Sequence, residues 1–115
     1  MRRVRGCPEK GDIGWLSMNP HRGREQAGRR PAMCLSPADY NRKVGLALFC
    51  PITSKVKGYP FEVELPEGLK VSGAILADQI KSLDWRARKA TRLGKVSADI
   101  IGQARARILP LVEGA

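Results

Sequence analysis

The chain reads as a single α+β domain, a compact, twisted β-barrel carrying short helices. Three observations predict this. A length of 115 residues with 43% apolar content suits one core of ordinary size and leaves no material for a second. Short apolar or alternating runs bounded by Gly, Pro and Asn recur as far as about residue 78, which is a strand pattern. From Ser97 the apolar spacing becomes helical, and strands followed by a terminal helix pack as an α+β arrangement. The domain is expected to span residues 1–115, with residues 1–9 as a flexible basic arm.

Residues 12–18 (DIGWLSM) are expected to form a strand bearing Trp15 in the core. Gly14 in its interior calls for a bulge or a close backbone neighbour, since it has no side chain to pack. From Asn19 to Arg30 the composition turns to Pro, Gly, Gln and charge, a long loop. The apolar runs Pro31–Leu35 and Gly45–Ile52 have the continuity of strands buried on both faces. Between them, Ser36 as N-cap and Pro37 as first helical residue predict one helical turn through about Arg42. Phe61 to Leu65 alternates apolar with acidic, a half-buried strand. Pro66–Lys70 is a turn, Val71–Asp78 a strand, and Arg86–Val96 a basic loop and strand. Trp85 is expected in the core or at an interface. Ser97 caps the last helix, Asp99 suits its first turn, and Ile100, Ala104 and Ile108 recur every fourth residue. Pro110 is expected to end or kink it.

The charge balance bears on function. Lys and Arg number 21 against 11 Asp and Glu, giving a formal net charge of +10, spread along the chain. Such a surface attracts polyanions and binds them in a salt-dependent way, but names no reaction. The three cysteines, Cys7, Cys34 and Cys50, form no C-x-x-C pair and have a single His to assist them, so no metal site or cofactor is expected, and they read as buried, reduced thiols. The basic start is not followed by the roughly 7 to 15 apolar residues of a secretion signal, and no run approaches the ~20 residues of a membrane span, so a cytoplasmic protein is expected.

Two segments could carry chemistry. The loop Arg22 to Pro31 sets Arg22, Arg24, Arg29, Arg30, Glu25 and Gln26 on a glycine-hinged stretch before a rigid strand. Arg30, restrained by Pro31, is placed to offer a fixed guanidinium to a phosphate. Pro51-Ile52-Thr53-Ser54-Lys55 ends a buried strand, putting Thr53 at its rim. Either segment alone reads as ordinary surface. His21, tempting as an acid–base group, sits at the loop entrance and is set aside as a solvated turn residue.

The runs Gly11-Asp12-Ile13, Gly23-Arg24-Glu25-Gln26-Ala27-Gly28, Arg30-Pro31-Ala32, Leu35-Ser36-Pro37, Pro51-Ile52-Thr53, Lys57-Gly58-Tyr59-Pro60-Phe61, Ala77-Asp78-Gln79 and Trp85-Arg86-Ala87-Arg88 stand in the order and spacing of MazF/PemK toxins. Over roughly residues 10–112 the chain resembles that family, closest to its MazF branch. The resemblance implies an SH3-like, CcdB/PemK-type barrel and a homodimer. It implies ribosome-independent, sequence-specific, metal-free cleavage of single-stranded mRNA to 2′,3′-cyclic phosphate and 5′-hydroxyl ends, and a cognate acidic, MazE-like antitoxin. It also implies Arg30 and Thr53 as the catalytic pair and Glu25 as the carboxylate at the scissile phosphate, with Gln26, Asp78 and Gln79 contacting RNA; Arg24 and Arg29, which add charge beside the loop beyond the family pattern, and Lys57 are further candidates for RNA binding. A guanidinium stays protonated, its pKa being above about 12, so Glu25 is the better candidate for the base that the family's accounts place on Arg30. A catalytically silent relative and a gyrase-poisoning toxin of the same fold are the alternatives. Gly14, Ser17, Met18 and Asn19 depart from the family pattern after Asp12, and leave the cleavage sequence open.

Overall fold

The computed structural model describes residues 6–17 and 28–114. Seven strands form one antiparallel sheet: β1 (Asp12–Ser17), β2 (Arg29–Cys34), β3 (Leu46–Thr53), β4 (Glu62–Glu64), β5 (Ala74–Leu76), β6 (Lys81–Asp84) and β7 (Thr91–Lys95). Helix α1 (Ala38–Val44) joins β2 to β3, and α2 (Ala98–Glu113) ends the chain. The order across the sheet is β4-β5-β3-β2-β1-β7, with β6 also on β3. This is the α+β arrangement that the sequence predicts, the sheet bending around its cores without β4 and β7 closing on each other. No helix among the described residues is long and apolar enough to cross a membrane.

Alternation along the strands sends side chains into two cores. Ile13, Met33, Cys50, Ile52, Val63 and Ile75 meet Val96, just before α2, and Ile100 and Ala104 on the helix itself. Leu16, Ala32, Cys34, Ala47 and Phe49 point the other way and meet Leu83, Trp85 and Cys7. A sheet covered on both faces explains why β2 and β3 read as continuous apolar runs. All three cysteines are buried and free. Burial raises the thiol of Cys34 to about 11 and that of Cys50 to about 12, so both stay protonated.

Both explanations offered for Gly14 apply. The β1–β7 register slips between Ile13 and Gly14, and a Cβ on Gly14 would lie 2.3 Å from the Thr91 carbonyl oxygen. Five expectations need correction, the first being the strand over Val71–Asp78, of which only Ala74–Leu76 is strand. Of the arm over residues 1–9, the described residues 6–9 include Cys7, 2% exposed in the second core, and buried Pro8, with the Glu9 N–H donating to Asp12 Oδ2 at 2.8 Å. Helix α1 starts at Ala38 with Pro37 as its cap residue. Ser36 is turned inward: its hydroxyl accepts from Leu48 N (2.8 Å) and donates to buried Asn41 Oδ1 (2.5 Å). Of the two outcomes expected of Pro110, an end to α2 is not seen, since the helix continues to Glu113. Proline removes an N–H bond to the carbonyl of Ala106, but both residues are exposed and water can serve that carbonyl. Trp15 is half-buried at a groove, whereas Trp85 is core, its indole N–H donating to Asn41 O at 2.9 Å. Strand β6 was not foreseen, although Leu83 and Trp85 alternate inward.

Candidate functional site

The β2–β3 ladder runs Cys34↔Phe49, Met33↔Cys50, Ala32↔Pro51. Two residues further, a continuation of this register would set Arg30 opposite Thr53. Pro31 and Pro51 have no N–H to donate, and the paired register ends at Ala32↔Pro51, short of both residues. Arg30 is exposed and Thr53 half-buried. Thr53 Oγ1 accepts a hydrogen bond from Lys55 N at 3.1 Å, which leaves its hydroxyl proton free to donate outward.

Gly73 holds Thr53 in place from the other edge of β3. Its φ of +120° is in the region that favours glycine, and a Cβ there would stand 1.9 Å from Thr53 O. Thr53 pairs with Ala74, and Leu65 N donates to Gly73 O at 2.8 Å, closing the turn between β4 and β5.

Arg30 and Thr53 line an open groove of about 610 Å³, with Trp15, Arg29, Pro31, Ile52, Ser54, Lys55, Lys70, Val71 and Ser72. Its described lining has four cations and no carboxylate. Arg29 is already engaged: Nη2 donates to Lys89 O (2.6 Å), Trp15 O (3.2 Å) and the Thr91 hydroxyl, tying the groove wall to β1 and β7.

Thr53 and Lys55 also line an adjoining space of about 430 Å³, with Lys57, Gly58, Tyr59, Glu62, Leu76, Asp78 and Gln79. Continuing the Ile52↔Ile75 register would set Asp78 against Phe49, where Lys81 stands instead. The three residues Ala77–Gln79 therefore loop out as a 3₁₀ turn, which presents Asp78 and Gln79 at this space. Tyr59 OH donates to Asp78 Oδ2 at 2.8 Å, and that bond raises the tyrosine pKa. Asp78 Oδ1 is buried without a hydrogen-bond partner among the described residues. Glu62 is turned to its own loop, accepting from the N–H groups of Lys57 and Gly58 at 3.0 to 3.3 Å.

Of the residues singled out in the sequence, Arg29, Arg30, Thr53, Lys57, Asp78 and Gln79 are thus gathered along one continuous groove. Arg24, Glu25, Gln26 and His21 lie outside the described residues. Lys70, Ser72 and Gly73 were missed; the alternation of Leu69 and Val71 inward with Lys70 and Ser72 outward was the available signal.

Residues 9–112 match the model of the PemK-like, MazF-like toxins of type II toxin–antitoxin systems. The chain belongs to this toxin family. It is 47% identical over 108 residues to the endoribonuclease toxin MazF of Escherichia coli K12, covering 94% of this chain and 96% of that one. It is 30% identical to the endoribonuclease PemK of Escherichia coli, over 87% and 78% of the two chains. Among solved structures, the toxin's fold superposes with a TM-score of 0.87 and 47% identity on a MazE–MazF structure from Deinococcus radiodurans, covering 95% and 99% of the two chains. A MazF structure from the same organism gives 0.82 and 50%, over 95% and 98%.

Proposed function

We propose that this toxin is a sequence-specific endoribonuclease that cuts single-stranded RNA, mRNA above all, without a metal. The observation that carries this is that Arg30 and Thr53, just beyond the last paired residues of β2 and β3, line one groove whose described lining has four cations and no carboxylate. The ribose 2′-hydroxyl attacks its own adjacent phosphorus, the bond to the 5′-oxygen of the next nucleotide breaks, and the products are a 2′,3′-cyclic phosphate and a 5′-hydroxyl. The enzyme then has to align the chain, move two protons and stabilise charge on the phosphoryl oxygens. Arg30 offers two parallel N–H donors to that phosphate, and the free Thr53 hydroxyl proton a third. The proton from the 2′-hydroxyl goes to Glu25 or to a water it orients, and the departing 5′-oxygen is stabilised by Arg30 and takes its proton from Arg30 or from a water. The other groove half, with Tyr59, Asp78, Gln79 and Lys57, holds flanking nucleotides, where ring stacking and amide or carboxylate contacts to base edges select the sequence.

The toxin works in the cytoplasm as a homodimer, and its cognate antitoxin is an acidic chain of the MazE kind that competes for the cationic groove. Supporting this partnership, a solved relative that superposes with a TM-score of 0.87 is a MazE–MazF structure.

Incubation of purified toxin with labelled single-stranded RNA and a chelator tests the reading. Discrete cuts with 5′-hydroxyl ends are expected, absent in Arg30→Ala and Thr53→Ala. Trapped gyrase–DNA complexes without RNA cleavage would overturn it, as would RNA binding without cuts. Glu25→Gln divides the proton transfers: an unchanged single-turnover rate across the pH range removes Glu25 as the base.

A further inference from the structure

The turn between β4 and β5 lies outside every motif that carried the family resemblance, yet it forms a wall of the cationic groove. It is held on three sides. Val71 is 8% exposed in the first core, and Leu69 packs against the same core. Gly73 is wedged against the Thr53 carbonyl, and its own carbonyl accepts the Leu65 N–H. Alternation between these anchors turns Lys70 and Ser72 into the groove, on the wall facing away from the core. The Lys70 ammonium forms no ion pair among the described residues, and none of the groove's described lining residues there is acidic.

A backbone anchored at Leu69, Val71 and Gly73, carrying an ammonium with no ion pair among the described residues in the groove that Thr53 also lines, has the makings of an anion contact, because the anchoring lowers the ordering cost of binding. We infer that Lys70 binds a backbone phosphate of the single strand, next along the chain from the phosphate held by Arg30 and Thr53, with the Ser72 hydroxyl as a second donor. This rests on the RNA-cutting reading above. Lys70 touches a phosphate that does not react, so it serves affinity and alignment, equally in ground and transition states.

The test compares wild type with Lys70→Gln, Lys70→Arg and, as a control outside the groove, Lys43→Gln. Binding of a non-cleavable strand with 2′-deoxyribose at the mapped cut site is followed as salt rises. Each phosphate contact on a single strand contributes about −0.7 to the log–log slope. Lys70→Gln should flatten the slope by about 0.7, so that a fourfold rise in salt weakens its binding about 2.6-fold less than it weakens wild type. Its KM should rise with kcat within about twofold of wild type, as for lost uniform binding. Lys70→Arg should restore the slope, and Lys43→Gln should keep it. A wild-type slope in Lys70→Gln, or an equal flattening in Lys43→Gln, overturns the inference while cutting by wild type stands. Absence of cutting by wild type overturns the functional reading instead.

Discussion

The two halves of the groove share Thr53 and Lys55 but are built differently. Around Arg30 the described lining is cationic, the chain is held by strand register and a wedged glycine, and the hydroxyl of Thr53 is left with its proton to give. Around Asp78 the lining mixes Lys57 with Glu62 and Asp78, and the carboxylates are occupied by a tyrosine hydroxyl and by loop N–H groups. Uniform positive charge suits the backbone of any RNA. A tyrosine ring beside paired donors and acceptors suits particular bases. On the proposed function, grip and chemistry would be separated from reading, and substitutions in the two halves should have different signatures.

The largest effect is expected in the cationic half. Arg30→Ala or Thr53→Ala should lower the single-turnover cleavage rate on the order of 10²- to 10³-fold, the usual loss for one well-placed donor to a developing anion. Equal losses from the two, with the sequence preference retained among residual cuts, would sharpen the division; a changed preference would break it. Next comes Gly73→Ala, whose methyl must displace the Thr53 carbonyl. A shift of about 1 Å at a positioning group can lower the rate about 10²-fold, and single-turnover kinetics on folded protein, checked by circular dichroism, should show this with no change in the salt slope.

In the mixed half, Tyr59→Ala should weaken binding by about 1–3 kcal/mol, the contribution of one stacked base, while Tyr59→Phe keeps most of it. Asp78→Asn should redistribute cut sites on a long RNA at near-normal rate; loss of rate at every site would place Asp78 in the chemistry. The smallest effect is expected far from both halves. Ser97 accepts the Ile100 N–H at the start of α2, and Ser97→Ala should lower unfolding stability by about 1 kcal/mol in denaturant titration. Its cleavage pattern should match wild type, which shows that lost stability alone does not mimic either signature.

Outside the groove, the buried thiols give a pH test. Cys34 and Cys50 have raised pKa values in the fold. Their contribution is full below the ordinary thiol range and lost as pH rises towards about 11 and 12. Denaturant midpoints should fall over that interval, and less steeply for Cys50→Ala relative to its own value at neutral pH.

Local patterns were enough for most of the elements. The alternation Phe61 to Leu65, the apolar runs around Met33 and Phe49, and the cap at Ser97 each report a nearest-neighbour preference, so β4, β2, β3 and α2 were legible in the chain itself. That Arg30 and Thr53 belong together was expected only through the family motifs, and the fold sets both in one groove lining; nothing local links two residues so far apart in the chain. The wedged position of Gly73 and the place of Lys70 in the groove lining were decided by tertiary structure alone. A close backbone approach exists only when a strand from elsewhere arrives, and a lysine lines a groove only when another wall stands opposite. Even the 3₁₀ turn that presents Asp78 arises from a mismatch between two registers along β3, a property of paired strands that no single segment contains.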